Sequence, residues 1–387
     1  MSVETEGFGQ EQENEPKSVE GEYQELSGLE AELDQALEEQ NTQKAEELLL
    51  ELEQRTSALE ERVALPIERE LKLKEQYQSQ VELLAEHHLI QELSNGKRGI
   101  VGIDGKEYPL PSYQEIRAGL KESRELLEKK AEQGFAKLLL VPFGLAVSEL
   151  KAAHQAELLR RHENDTLLSS DGTPLVKLDS SGSKQSLADY YVFEENADTN
   201  QDPNQAVCYY GVRKFPEKDQ SGNYEQFNPQ VHGGQTKQEI LGEGGAWQVF
   251  LVEDTGVLPA ENEGETKGGR KQMETNQTPR DYLSLTQEEE PYQGETGLTR
   301  ESWIILSLSH LKETNRQIDI YDSNDLSQGK ICYLFDSFIV SPSGGYVSRA
   351  DFDRGFRQAY LTGDGPGVAF SSIAARPAVK IAKKLKL

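Results

Sequence analysis

Cysteine is nearly absent, with two in 387 residues. Cys208 and Cys332 sit in the apolar runs Ala-Val-Cys-Tyr-Tyr and Ile-Cys-Tyr-Leu-Phe, so they are expected as buried free thiols rather than a disulfide or a nucleophile. No stretch approaches the roughly 20 apolar residues of a membrane span. The acidic start Met1 to Glu15 lacks the basic and apolar regions of a secretory signal, which makes the cytoplasm the default address and leaves surface exposure by another route open. Basic residues are also scarce: the net charge is -27, and an acidic chain disfavours nonspecific nucleic-acid binding, so no nucleic-acid partner is expected.

Apolar residues make up 35% of the chain and charged ones 28%, so part of it should be solvated and elongated. Charge is uneven. Residues 1 to 65 carry 19 acidic and 4 basic side chains, whereas Gly345 to Leu387 carry 3 acidic and 8 basic. Residues 1–20 read as a disordered acidic lead. A helical region, coiled coil or helical hairpin, is expected over 21–165, where Leu26, Leu29, Leu33 and Leu37, then Leu48, Leu52, Leu59 and Val63, form a narrow stripe at helical spacing. Pro66 should break that run before a helix from about Ile67 to Leu93. A small β insert lies near 99–111 around the turn signal Asp104-Gly105, a helix follows from about Ser112 to Lys130, and Val141-Pro-Phe-Gly144 marks a buried bend before another helix. Residues 166–199 read as a linker. From 200 to 381 short strands, including Trp247 to Val252, Ile331 to Leu334 and Phe338 to Val340, accompany a helix from Arg300 to about Asn315 capped by Thr299. Residues 382–387 are a basic tail, and the fold class as a whole is α+β.

Signatures of chemistry fail on inspection. Gly264 to Lys271 has the glycines of a phosphate loop, but Arg270 and Lys271 stand where lysine and a hydroxyl are required. Asp198 to Pro203 starts like a calcium loop and then places Pro203 where the turn needs glycine. His87 and His88 point about 100 degrees apart on a helix, and the other histidines have no ligand at metal spacing, so all six read as solvated or capping residues. No catalytic residue, cofactor or metal is expected.

The segment from Tyr346 to Ile381 is different. Small and apolar residues such as Val347, Ala350, Phe352, Ala359, Leu361, Ile373 and Val379 punctuate a polar string that shows no helix or strand period, as if a sparse buried frame presented many exposed side chains. Together with Trp247 to Asp254, Gly268-Gly-Arg-Lys-Gln272, Thr278-Pro-Arg-Asp-Tyr-Leu283 and Gly297-Leu-Thr299 with Trp303, this segment resembles the variable proteins of diversity-generating retroelements. These are built on a C-type-lectin fold of the kind shared with formylglycine-generating enzymes. The resemblance covers about residues 200 to 381, and the helical part looks like the leading region of the same family.

The resemblance implies a C-type-lectin-like domain behind an elongated helical half. A retroelement reverse transcriptase would act on the gene, rewriting it at template adenines and scattering asparagine codons into the mixture seen here. Carried onto this chain, the ligand-contacting positions are Ser348, Arg349, Asp351, Asp353, Arg354, Phe356, Arg357, Tyr360, Thr362, Asp364, Gly365 and Val368. The implied partner is an unknown macromolecule, protein or glycan, with a homo-oligomer through the helical half as a further partner. Two alternatives stand beside this: a fixed interaction scaffold acting through the helical half, and an oxidase of the formylglycine-generating type. The oxidase needs a cysteine pair near the C-terminus to hold copper, and no cysteine follows Cys332.

Overall fold

The computed structural model describes residues 19–63, 66–169, 172–175, 180–183, 191–193, 207–321, 330–340, 345–354 and 358–381. The expected acidic lead up to residue 18, the calcium-like run at 198–203 and the basic tail lie outside the described residues. The chain divides into two compact units, Met1–Glu70 and Leu71–Leu387.

The first unit is an αα-hairpin followed by a short helix: α1 (Val19–Glu38), α2 (Thr42–Val63) and α3 (Pro66–Glu70). Gln40 takes a left-handed φ of 56° to reverse the chain. The seam is thin, with Ala36, Ala45 and Leu48 buried and Leu29 and Leu33 packed on them. Leu37, expected in the stripe, is instead 59% exposed, and its neighbour Ala36 takes the buried position in the seam.

The second unit begins where Lys72 adopts a left-handed φ of 51°, which splits the expected 67–93 helix into α3 and α4 (Leu73–Glu86). Next come the three-stranded meander β1 (Gln91–Glu92), β2 (Arg98–Val101) and β3 (Glu107–Pro109), with Asp104-Gly105 turning β2 into β3. Gly96 turns β1 into β2. Helices α5 (Tyr113–Glu122) and α6 (Arg124–Glu132) lead into β4 (Phe135–Val141), and α7 (Val147–Glu163) follows.

β4 overturns the expected boundary near residue 165. It pairs with β8 (Gln248–Glu253) inside a four-stranded antiparallel sheet. Its sequence Phe-Ala-Lys-Leu-Leu-Leu-Val is covered on both faces and therefore shows no alternation. The linker expected at 166–199 also begins inside the fold, since the Leu168 amide donates to the Asn315 carbonyl at 2.9 Å and Gln317 donates back to Leu168 at 3.1 Å.

The remaining elements are β5 (Tyr191–Phe193), β6 (Cys208–Val212), α8 (Pro229–His232), β7 (Gly233–Thr236), α9 (Lys237–Gly242), then β9 (Thr266–Lys267) and β10 (Arg270–Lys271) after β8. They are followed by α10 (Pro279–Glu288), β11 (Glu295–Gly297), α11 (Arg300–Thr314), β12 (Ile320–Tyr321), β13 (Ile331–Ile339), β14 (Tyr346–Asp353), β15 (Gln358–Asp364), β16 (Ile373–Ala375) and β17 (Pro377–Lys380). Thr299 caps α11 through a capping box and Asn315 closes it in the left-handed conformation, as its sequence predicts. The two strands expected at 331–334 and 338–340 are one strand, β13, whose pairing with β14 shifts register between Leu334 and Phe338. The phosphate-loop lookalike is the β9–β10 hairpin: Gly268 and Gly269 turn it at φ 52° and 77°, and Arg270 is buried against Glu295 and Glu253.

A mixed sheet in the order β5-β15-β14-β13-β6-β7 dominates this unit, with β16 parallel to β13 and β12 parallel to β14. The four-stranded sheet runs β11-β17-β8-β4. Arg376 stands at the corner between β16 and β17, where the chain leaves one sheet for the other. Its guanidinium grips Asp319 at 2.7 and 2.9 Å and donates to the Thr255 carbonyl at 2.6 Å, while the Trp303 indole donates to the same Asp319 at 2.8 Å. All three side chains are buried, so the corner is fixed by a fully paired charge. Both cysteines are free and buried, as expected.

Three histidines depart from the expectation of solvation: His154, His162 and His232 are buried. On α7, Leu150, His154, Leu158 and His162 recur every four residues on the inward face. His154 Nε2 meets the Ser307 hydroxyl at 2.9 Å, and His232 meets Glu225 and Asn228 at 3.0 Å.

Candidate ligand-binding face

β14 and β15 form an antiparallel hairpin with seven matched pairs, from Val347 opposite Asp364 to Asp353 opposite Gln358. Successive strand residues point to opposite faces, so this register sorts the segment into two sets. Ser348, Ala350 and Phe352, with Ala359, Leu361 and Gly363 across from them, share one face. Arg349, Asp351 and Asp353, with Thr362, Tyr360 and Gln358 across from them, share the other, and Asp364 joins them at the end. The segment therefore does have a strand period, contrary to the expectation. Val347 and Ser348 hide it: the valine joins the aromatic cluster of Tyr282, Tyr333, Phe335 and Phe338, and the serine takes a core position.

Of the twelve candidate residues, six lie together on the polar face: Arg349, Asp351, Asp353, Tyr360, Thr362 and Asp364. Gly365 and Val368 belong to the turn that continues from β15, where the Val368 amide donates to the Gly365 carbonyl at 3.1 Å. Arg354 follows β14 and is half-buried. Phe356 and Arg357 lie outside the described residues. Ser348 is the correction: it is 0% exposed on the opposite face, its hydroxyl without a hydrogen-bond partner, and it leaves the contact set.

The face is held rigidly at one side and is half-open at the other. Tyr333, opposite Arg349 on β13, donates its hydroxyl to the Val368 carbonyl at 3.0 Å and pins the turn. A β-carbon on Gly365 would stand 2.7 Å from the Tyr224 hydroxyl, so any other residue there displaces that ring. Beyond this, Tyr360, Thr362 and Asp364 are partly exposed, as is Gln358, which reading the segment as aperiodic had missed. Strict alternation back from Thr362 through Tyr360 would have found it.

The electrostatics are asymmetric. The Arg349 guanidinium donates through Nε to the Thr362 hydroxyl at 2.9 Å and lies 2.9 Å from an Asp364 oxygen. Tyr360 donates to the Gln358 amide oxygen at 2.8 Å. Both donors flanking Asp351 are thus turned away from it. Asp351 is 4% exposed and receives no hydrogen bond among the described residues. Burial pushes its carboxyl up to about 8; Arg349 pulls against that shift, and Asp353, Asp319 and Asp364 add to it.

No group of three or more His, Cys, Asp or Glu side chains placed to hold a metal occurs among the described residues. None of the described helices is long and apolar enough to cross a membrane. Comparison of the sequence with protein-family models, with curated proteins and with solved structures finds no match in any of the three.

Proposed function

We propose that the protein is a non-enzymatic binding protein of the retroelement-diversified, C-type-lectin-like kind, and that a macromolecular ligand docks on the polar face of the β14–β15 hairpin. One observation carries the reading: six of the ten described candidate residues fall on one face of the hairpin, while Ala350, Phe352, Ala359 and Leu361 of the apolar frame fall on the other. A surface rewritten residue by residue needs a backbone whose stability rests elsewhere, and here it rests on Ala350, Phe352 and Leu361, all buried on the opposite face. The test is to sequence the DNA around the gene for a near-copy of the segment encoding Tyr346 to Ile381 beside a reverse transcriptase gene. Mismatches confined to template adenines, in the codons of polar-face residues, are the expected result. The absence of any such repeat from the genome would sink the reading.

A second reading, a scaffold or homo-oligomer acting through α1 and α2, is favoured by the exposure of Leu37, Leu49 and Leu50 at 59%, 46% and 56%. Sedimentation of the full chain decides it, since a monomer at all accessible concentrations removes the oligomer.

A further inference from the structure

We infer that the ligand of the β14–β15 face is a protein that presents a lysine ammonium or arginine guanidinium to Asp351. The inference rests on the binding reading above and narrows it, since it prefers a basic protein surface to a glycan.

Asp351 is an acceptor with no protein donor among the described residues. A carboxyl this deeply buried normally receives two or more hydrogen bonds, and one that receives none needs an explanation. Asp351 has two donors beside it on its own face, Arg349 on its strand and Tyr360 directly opposite. Each is committed elsewhere, Arg349 to Thr362 and Asp364, Tyr360 to Gln358. Asp319, whose charge also reaches Asp351, is taken up by Arg376 and Trp303. The side chain therefore stands on the polar face with no protein donor among the described residues, while partly exposed Tyr360 and Thr362 leave a way in.

The charge balance sets the sign of the missing group. Arg349 already faces Asp364, so a ligand carboxylate or phosphate brought beside Asp351 would add negative charge next to Asp353 and Asp364. A neutral hydroxyl would supply one hydrogen bond and no charge. An ammonium or guanidinium supplies up to three or five donors together with a compensating charge. The phenol of Tyr360 adds a surface on which the alkyl stem or guanidinium plane of such a residue can lie.

Linkage gives this docking a signature. With its carboxyl at about 8 in the free protein, Asp351 is mostly protonated at pH 7, and a cation docking on it must expel that proton. Among the described residues Arg349, Asp353, Asp364 and Asp319 act on its charge, and the Tyr360 phenol faces it across the ladder.

To test this, a library of random twelve-residue peptides displayed on phage is panned against the full chain at pH 8, and the selected sequences are synthesised. The expected binders carry lysine or arginine at a fixed place and lose at least about tenfold affinity on Asp351→Asn, the scale of one charged hydrogen bond. Replacing the peptide's own basic residue with methionine should cost the same, and it reads the contact without touching the protein. Calorimetry at pH 7 in buffers of different ionisation enthalpy should register release of close to one proton. Binders that lack a basic residue, or that bind Asp351→Asn equally well, overturn the inference and leave the binding reading standing. If no peptide is selected, the inference also falls, and the search for a template repeat then judges the binding reading independently.

Discussion

Ala350 and Asp351 are joined by one peptide bond and live under opposite rules. On Ala350's side of the hairpin Phe352 and Leu361 are buried in a dry interior, within the unit whose core includes Trp303, Ile304 and Leu308 of α11. On Asp351's side the same strands carry arginine, aspartates, tyrosine and threonine, and only part of that surface is covered. The difference teaches how a single hairpin can divide apolar burial from the polar surface proposed for recognition. Every second residue supplies apolar burial, and on the proposed reading the partly exposed residues between them, Arg349, Tyr360 and Thr362, are the ones that can change without drawing on the fold.

The most severe way to test that separation is to attack the dry face. Phe352→Ala should cost about 3 to 5 kcal/mol, the range for deleting a fully buried phenylalanine, measured by urea denaturation. A cost below about 1 kcal/mol would mean that the hairpin is not anchored through that face.

Acid should attack the same interior without a mutation. His154, on α7 against the edge of Trp303, is held at about 3 by burial, well below the 6.5 of an exposed histidine. Between those values the unfolded chain binds a proton that the folded chain refuses, so stability falls as pH falls. The slope is about 1.4 kcal/mol per pH unit for this group, or roughly 3 kcal/mol lost by pH 4.5. His154→Gln should flatten denaturation midpoints measured from pH 7 to 4.5, and an unchanged slope would assign the acid sensitivity elsewhere.

The polar face predicts the opposite sign. Asp351 titrates near 8 when folded and near 4 when unfolded, so its stabilising contribution is complete below pH 4 and is lost as pH rises towards 8. Asp351→Asn removes the penalty. The gain should be about 2 kcal/mol at pH 7, roughly half of what full linkage allows because the neighbouring side chains are half-exposed, and it should vanish at pH 4. Thermal melts at the two pH values check it, and a destabilised variant at pH 7 would show that the carboxyl already has a partner that holds it.

Much of this architecture was legible in the sequence where local chemistry and burial agree. Thr299 with Ser302 announces α11, Asp104-Gly105 announces the β2–β3 turn, and the apolar run before Asp254 announces β8. The failures have common physical causes. β4 reads as an unbroken apolar run because both its faces are covered, and the αL residue Lys72 breaks a helix that its composition would continue. The period of β14 was hidden because Val347 and Ser348 exchange the places that polarity alone would give them. The twelve candidate positions came from a resemblance; the register then separated them, keeping six on one face and removing Ser348.

The smallest expected effect is the sharpest test of the comparison. Thr362→Val removes the acceptor for Arg349 Nε while keeping the shape of the side chain. In the dry interior, losing the partner of a charged donor would cost several kcal/mol, because nothing else can reach it. Here the Arg349 side chain is 27% exposed and stays beside Asp364, so water and that carboxylate take over. The change should stay below about 1 kcal/mol in denaturation, the scale of an exposed charged pair. If binding to selected peptides falls tenfold while stability hardly moves, recognition and folding rest on different residues of the same strands. A loss of stability comparable to that of Phe352→Ala would instead make the polar face part of the core, and a face that the fold depends on cannot be rewritten freely.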